Sequence, residues 1–472
     1  MNPTFVSNIC PIDASSIPFY PPRVMAPAKP LYLPQSFLQF LRNPLLIIPE
    51  PVYHERLVVL RGAAAIVWVT DPTLVKIVLA DHCDDFPQDP LLRRVLGGLF
   101  GKSILTSQGG DWRWQHQTVM PLFRYGEIVR YVPSMVAGAE SAIKAWSAAP
   151  PGSTQAIDAD MLRATYHVIS KTLLPGGGAL IAETMRRGTT DYVEGVSWST
   201  VYAVLNLPVW LPRPGRRRMR FWEIRLRTVV ADMIHARHTS PEDRDDLFTR
   251  LRDAVDPETT QPMPEERLVD NLLTFLLAGH HTIAMTLTWT LYLLSRSPQW
   301  EARVVDEIRQ VVPSGPVTDE HIGRLVTVQQ VLKESMRLYP PVPVMTRYAA
   351  KDVELAGEHI KAGTLIGLPI YVIHRHRKLW DDPDRFDPAR FAPEREASYS
   401  RYQFMPFGAG PRICIGAAFA LVEATVMLAT LVRAARFESP PVQKPLPVSR
   451  VLLVPKGGMP LRVTLRGGVE RH

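Results

Sequence analysis

A chain of 472 residues with a formal charge of +8, 46% apolar and 21% charged residues has the composition of a globular protein with a large core, and a disordered chain is excluded. Its three cysteines, Cys10, Cys83 and Cys414, form no CxxC pair, which excludes a zinc ribbon or disulfide framework and fits a reducing, cytoplasmic setting. The chain has no dense Lys/Arg tail and no aromatic-interleaved basic stripe, so nucleic acid is not an expected partner.

The N-terminus lacks the basic and apolar regions of a signal peptide, no apolar anchor precedes Pro18, and Pro18 to Pro34 reads as extended. Ala63 to Val69 is a short apolar run that predicts a buried strand, followed by a helix capped by Thr70 or Asp71 with Pro72 in its first turn. Gly97, Gly98 and Gly101 read as a flexible loop, and Trp112 to His116 open another helix. Residues 139–187 are mostly helical, interrupted at Pro175, Gly176, Gly177 and Gly178.

Val201 to Leu211 is apolar and precedes Arg216, Arg217, Arg218 and Arg220. A core-packed loop before a solvated helix face is the preferred reading; weak peripheral contact with a membrane surface is the alternative. Thr239 to Pro264 is polar and reads as mobile.

Leu272 to Leu294 is long and apolar enough to span a bilayer, yet His280 and His281 sit in its middle and Asp270 and Asn271 begin it. A central buried helix over 265–296 is therefore predicted, and no transmembrane anchor. A helix over Gln329 to Leu338 stops before Pro340 and Pro341. Residues 342–373 should be strand-rich, with Leu365 to Ile373 as one run, and Asp381 to Phe391 irregular.

Near the C-terminus stands Phe407-Gly-Ala-Gly410-Pro-Arg412-Ile-Cys414-Ile-Gly416, followed by apolar residues at helical spacing, so 404–434 reads as a loop and helix. Cys414 lies at a helix start, where unpaired N–H groups and the helix dipole favour a thiolate able to bind a metal. An inert buried cysteine is the equal alternative.

This stretch resembles the haem-binding loop FxxGxRxCxG of the cytochrome P450 superfamily, with Phe407, Gly410, Arg412, Cys414 and Gly416 matching. Four further motifs follow the family's order. Glu334 and Arg337 resemble its ExxR pair, and Pro388-Ala-Arg390-Phe391 resembles the segment whose arginine completes a structural triad of Glu334, Arg337 and Arg390. Ala278-Gly-His-His281-Thr282 resembles the oxygen-binding AGx(D/E)T segment, with His281 in place of the acid; Trp112 and His116 resemble WxxxR, with histidine in place of arginine.

The resemblance implies a mainly α fold with a smaller β-rich lobe, built as one domain over 1–472 with a Pro-rich segment at 1–62 and strands at 63–69 and 342–373. It implies haem b bound by the Cys414 thiolate, with Phe407, Arg412, Arg347, Trp112 and His116 around it. Thr282 and His281 would serve dioxygen and protons. A thiolate ligand pushes electron density to the iron and favours O–O cleavage. The expected activity is a soluble monooxygenase acting on an apolar molecule such as a fatty acid, terpenoid or steroid-like compound. A separate ferredoxin or flavodoxin with its reductase would supply the electrons, since nothing after Cys414 is long enough for a fused reductase. The alternatives are a peroxide-using or rearranging haem enzyme, suggested by His281, and a non-catalytic haem sensor. Phe100, Leu276 and Val342 to Met345 are the expected specificity surfaces.

Overall fold

The computed structural model describes residues 18–61, 65–172, 179–204, 211–239, 246–440 and 444–467. An extended segment from residue 18 leads to α1 (Leu33–Arg42), so the stretch expected to be extended up to Pro34 turns helical at Leu33. The first strands are β1 (Leu57–Leu60) and β2 (Ile66–Val69). Helix α2 (Pro72–Lys76) is capped by Asp71, whose side chain accepts from the N–H groups of Thr73 and Leu74. There follow α3 (Pro90–Phe100), α4 (Gly109–Val119), α5 (Val132–Ser147), β3 (Thr154–Ala156), α6 (Ile157–Thr172), α7 (Ala179–Val204) and α8 (Arg216–Thr239).

Helix α9 (Glu265–Ser295) is the axis of the molecule, about 46 Å long at 1.5 Å per residue. Glu265 and Glu266 in its first turn complement the positive end of the dipole. It is buried nearly all round, and its threonines are accommodated by turning inward. Thr274, Thr282, Thr286, Thr288 and Thr290 each donate to the carbonyl four residues earlier, at 2.7 to 3.0 Å. Further helices α10 (Pro298–Val311), α11 (Val326–Leu338) and α12 (Ala417–Ala434) pack around it. Among the described residues α12 alone is long and apolar enough to cross a membrane, and 72% of it is buried inside the protein; the run Leu272 to Leu294, expected from its sequence to be apolar enough, falls short because histidines and threonines interrupt it.

The smaller lobe joins distant parts of the chain. Strands β4 (Met345–Tyr348), β5 (Val353–Leu355), β6 (Glu358–Ile360) and β7 (Leu365–Leu368) follow α11. One sheet runs β1-β2-β7-β4, with Ile66 opposite Leu365 in the parallel β2–β7 pair. Gly367 is required there, because a Cβ would meet the ring of Trp68 at 2.5 Å. Strands β8 (Ala435–Glu438), β9 (Pro447–Ser449), β10 (Leu453–Pro455) and β11 (Pro460–Leu465) complete two small sheets, one of which includes β3. The architecture is mainly α with a β-rich lobe.

Three further sequence expectations differ from the structure. Gly97 and Gly98 lie inside α3, not in a loop, and the side chain of Glu223 from α8 packs where a Cβ on Gly98 would project. The polar stretch before α9 contains a helix at Leu247–Arg252, capped by Asp246. The run Leu365 to Ile373 ends as a strand at Leu368; Pro369 breaks it and residues 370–373 form a helical turn. The predicted break at 175–178 lies outside the described residues, as do 205–210 of the apolar run and 62–64 ahead of β2.

Candidate functional site

The loop before α12 is shaped by glycines with left-handed backbone. Gly408 has φ +74° and Gly410 φ +76°, and a Cβ on Gly410 would lie 1.9 Å from the carbonyl oxygen of Leu79. The loop closes on itself where Cys414 N–H donates to the Phe407 carbonyl at 3.0 Å. Helix α12 begins three residues later, at Ala417. Burial pushes the Cys414 thiol up and the Gly416 N–H opposes this, yet the side chain is open to solvent. It therefore borders an internal space.

Helix α9 borders it too. Ala278 is exposed and Gly279 half-exposed, in the middle of a helix whose neighbours in both directions are buried. Phe123 links the two sides: its ring lies 3.8 Å from where a Cβ on Gly416 would stand and stacks on Phe275, one turn before Ala278, at 5.9 Å between centroids. Ile415 packs against the same apolar cluster as Phe275, Leu276 and Leu277.

Thr282 points its hydroxyl at the Ala278 carbonyl, 2.9 Å away. The two histidines before it stand differently. The His280 ring donates through Nδ1 to the Leu276 carbonyl, which fixes its tautomer, and its own carbonyl accepts from Thr165 at 3.1 Å. His281 Nε2 is buried with no hydrogen-bond partner. Burial lowers both, to about 4 for His280 and about 3 for His281, so both are neutral near pH 7.

A cationic pocket closes the opposite rim. Arg412 donates to the Ser107 carbonyl at 2.7 Å and lies 4.2 Å over the ring of Trp112; Arg347, 7% exposed, donates to the Thr346 carbonyl at 2.8 Å. Burial lowers both to about 10, and the charge of Arg347 lowers Arg412 further. His116, 4.9 Å from Trp112 between ring centroids, is lowered by burial and then by Arg412. Among the described residues neither arginine is given a carboxylate. A buried and a half-buried guanidinium that repel each other, with no carboxylate beside them among the described residues, make a site for a dianion.

Behind this pocket Arg337 grips Glu334, and the Glu334 carboxylate lies 3.6 Å from Arg390 Nε. The pair is fully buried, so the small energy of an exposed helical pair does not apply to it.

Sequence reasoning missed the clamp that ties the two sides together. Asn271 of α9 accepts from Ile104 N–H at 2.9 Å and donates to Gln115 at 2.8 Å. Gln115 donates to Ser107 Oγ at 3.2 Å, and Ser107 is the residue whose carbonyl receives Arg412. Lone amides carry no spacing signal, and nothing in the sequence marks these.

A family model for cytochrome P450 matches residues 51–462. The chain belongs to the cytochrome P450 family. As such it is a haem-thiolate monooxygenase, an oxidoreductase acting on an apolar small molecule. This cytochrome P450 is similar to a cyclooctat-9-en-7-ol 5-monooxygenase of Streptomyces melanosporofaciens, 34% identical over 344 residues, which are 73% of this chain and 74% of the relative. It is also similar to a pentalenene oxygenase of Streptomyces avermitilis, 30% identical over 417 residues, 83% and 90% of the two chains. An 11-oxo-beta-amyrin 30-oxidase of Glycyrrhiza uralensis is 30% identical over 425 residues, 85% and 79% of the two chains. The residues present fit the family's haem in kind: an exposed thiol on the loop before α12, and two guanidinium groups without a carboxylate among the described residues, which a dianionic group would compensate.

Proposed function

We propose that this cytochrome P450 hydroxylates a terpenoid-like substrate beside α9, with Cys414 as the residue that would hold the haem iron. The haem supplies the reductive activation and O–O cleavage of dioxygen. The observation that carries the assignment is the pair of buried Arg347 and half-buried Arg412, mutually repelling and without a carboxylate among the described residues, with Arg412 on the loop that also bears the exposed Cys414 thiol.

The chain's own groups divide the remaining work. Arg412, Arg347, Trp112 and neutral His116 hold the propionate edge, with His116 giving one hydrogen bond where an arginine would add a fixed charge. Phe407 shapes the loop by accepting the Cys414 N–H. The exposed Ala278 leaves room for dioxygen, and the Thr282 hydroxyl, released from the Ala278 carbonyl, donates a proton on that side. His281, neutral and with Nε2 unpartnered, stands one residue before Thr282 where the family's motif carries an acid, so proton delivery on this side rests on the Thr282 hydroxyl. Glu334, Arg337 and Arg390 hold the scaffold behind the haem. Leu276, expected as a specificity surface, is 1% exposed and packs inside an apolar cluster; the apolar character of that cluster beside Ala278 suits a hydrocarbon substrate. Relatives named for oxidation of cyclic terpenoids support the same substrate class. Electrons come from a separate ferredoxin or flavodoxin, and the +8 chain suits an acidic donor.

The test is reconstitution with haem, ferredoxin, reductase and NAD(P)H, against a panel of cyclic terpenes and terpene alcohols. Oxygen from labelled O2 should appear in the product, and Cys414→Ala should lose the red-shifted carbonyl band of a thiolate haem. Turnover with peroxide but never with coupled reductant would favour the peroxide-using alternative. Retention of the thiolate band in the variant sinks the Cys414 assignment.

A further inference from the structure

Asp270 lies two turns before Ala278 on α9, about 12 Å along the axis, and is 2% exposed. Both carboxylate oxygens reach out to the elements that roof this end of the helix. One accepts the Lys102 N–H at 2.7 Å, just beyond α3; the other accepts Arg227 of α8 at 2.6 Å. Arg227 also donates to the Leu99 carbonyl at 3.1 Å, at the end of α3. The approach depends on Gly101, whose φ is +46°, because a Cβ there would lie 2.1 Å from the Asp270 carboxylate.

Three elements thus meet at one carboxylate. Beneath them the contacts are apolar: Leu96 and Leu99 of α3, Leu226 of α8, Leu272 and Leu276 of α9. Apolar contact is non-directional and is readily exchanged for contact with an apolar guest, whereas charge-assisted hydrogen bonds must be broken outright. The far end of the loop is held separately, by Asn271 at Ile104 and by Arg412 at Ser107. Two clefts, of about 750 and 360 Å3, meet at Gly97, Gly101 and Glu266 on either side of the junction.

We propose that Asp270, Arg227 and Gly101 form a latch that decides, by size, which molecules reach the side of α9 where Ala278 is exposed. While it is closed, α3 is fastened to α8 and α9. A molecule too large to pass between them waits for the Asp270 contacts to open, with the loop pivoting on its fixed end at 104–107. Asp270 and Arg227 are then determinants of specificity that need not touch the reacting carbon. The proposal rests on that side of α9 being the substrate site.

The experiment uses haem-loaded wild type, Asp270→Asn and Arg227→Gln. Stopped-flow absorbance follows imidazole and the larger 4-phenylimidazole as each binds the ferric iron, and hydrogen exchange follows the Lys102 amide. On- and off-rates for 4-phenylimidazole should rise together by about tenfold in both variants, the value of roughly one charge-assisted hydrogen bond, with imidazole rates and both affinities unchanged. Lys102 should lose protection. Unchanged 4-phenylimidazole rates despite that loss overturn the latch. So does equal acceleration of both probes, which marks a loosened site, or an altered affinity at constant on-rate, which marks a wall residue. If Asp270→Asn does not fold, Arg227→Gln, whose side chain is partly exposed, breaks the same bridge. Wild type that binds neither probe overturns the haem-site reading, and the latch with it.

Discussion

Arg337 holds Glu334 through two hydrogen bonds, Nε to Oε2 at 2.6 Å and Nη2 to Oε1 at 2.7 Å, with neither side chain reached by solvent. Nη1 donates to the carbonyls of His374 and Pro383 and Nη2 also to that of Arg385, so one arginine staples α11 to the segment that leads to the cysteine loop.

Removing one partner leaves the other charged and buried. Glu334→Ala and Arg337→Ala should each destabilise the protein by about 3–5 kcal/mol, measured by denaturant unfolding of the haem-free chain. A loss below about 1 kcal/mol for both would show the pair to be incidental.

The Arg347–Arg412 juxtaposition predicts opposite effects with and without cofactor. Arg412→Gln relieves repulsion in the haem-free protein, whose melting temperature should hold or rise, while haem retention falls by about tenfold or more, read by transfer to a haem acceptor protein. His116→Arg should do the reverse, since a third cation joins the pocket. Parallel changes in stability and retention would contradict the dianion reading.

His281 should leave a signature in stability against pH. Its pKa is lowered from 6.5 to about 3 on folding, so between these values the unfolded chain binds the extra proton and stability rises with pH. The stabilisation is complete above about pH 6.5 and is lost as pH falls below it. Comparing wild type with His281→Asn isolates this: the difference in melting temperature should be constant above pH 7 and change steadily from pH 6.5 to 4. A difference that varies between pH 7 and 8 instead would mean that His281 is charged in the folded protein.

Gly410→Ala should be poorly tolerated, because it meets a positive φ and the Leu79 carbonyl together. Destabilisation of more than about 1 kcal/mol is expected, with loss of the thiolate carbonyl band. Gly357→Ala, also at positive φ but with open space around it, serves as the control and should keep the band.

The parts legible in the sequence were those whose geometry is local. The Gly408–Gly416 loop, the small residues Ala278 and Gly279, and the buried helix around them are written in consecutive positions. Spacing alone was a poorer guide: Glu183 and Arg186 share the i, i+3 separation of Glu334 and Arg337, but Glu183 pairs with Arg187 on an exposed face. Arg390 reads clearly in its motif, yet its relation to Glu334 is set by a fold connecting residues 56 apart. Asp270 first appeared as a polar flank that argued against a membrane span. Its role depends on Lys102 and Arg227, which only the packing of α3 and α8 brings to it. Gly97 and Gly98 read as loop because propensity was weighed without Glu223 packing against them.

The parallel pairing of β2 with β7 carries a consequence for biosynthesis. Arg347 on β4 is held in a sheet whose other half is made of residues 57–69, and the loop that ends in Cys414 comes later still. A nascent chain that ends before about residue 407 has Trp112, His116 and Arg347 but neither Arg412 nor Cys414. The cation pair and the cysteine loop are therefore complete only once nearly the whole polypeptide has been made, so this part of the protein is assembled late in synthesis.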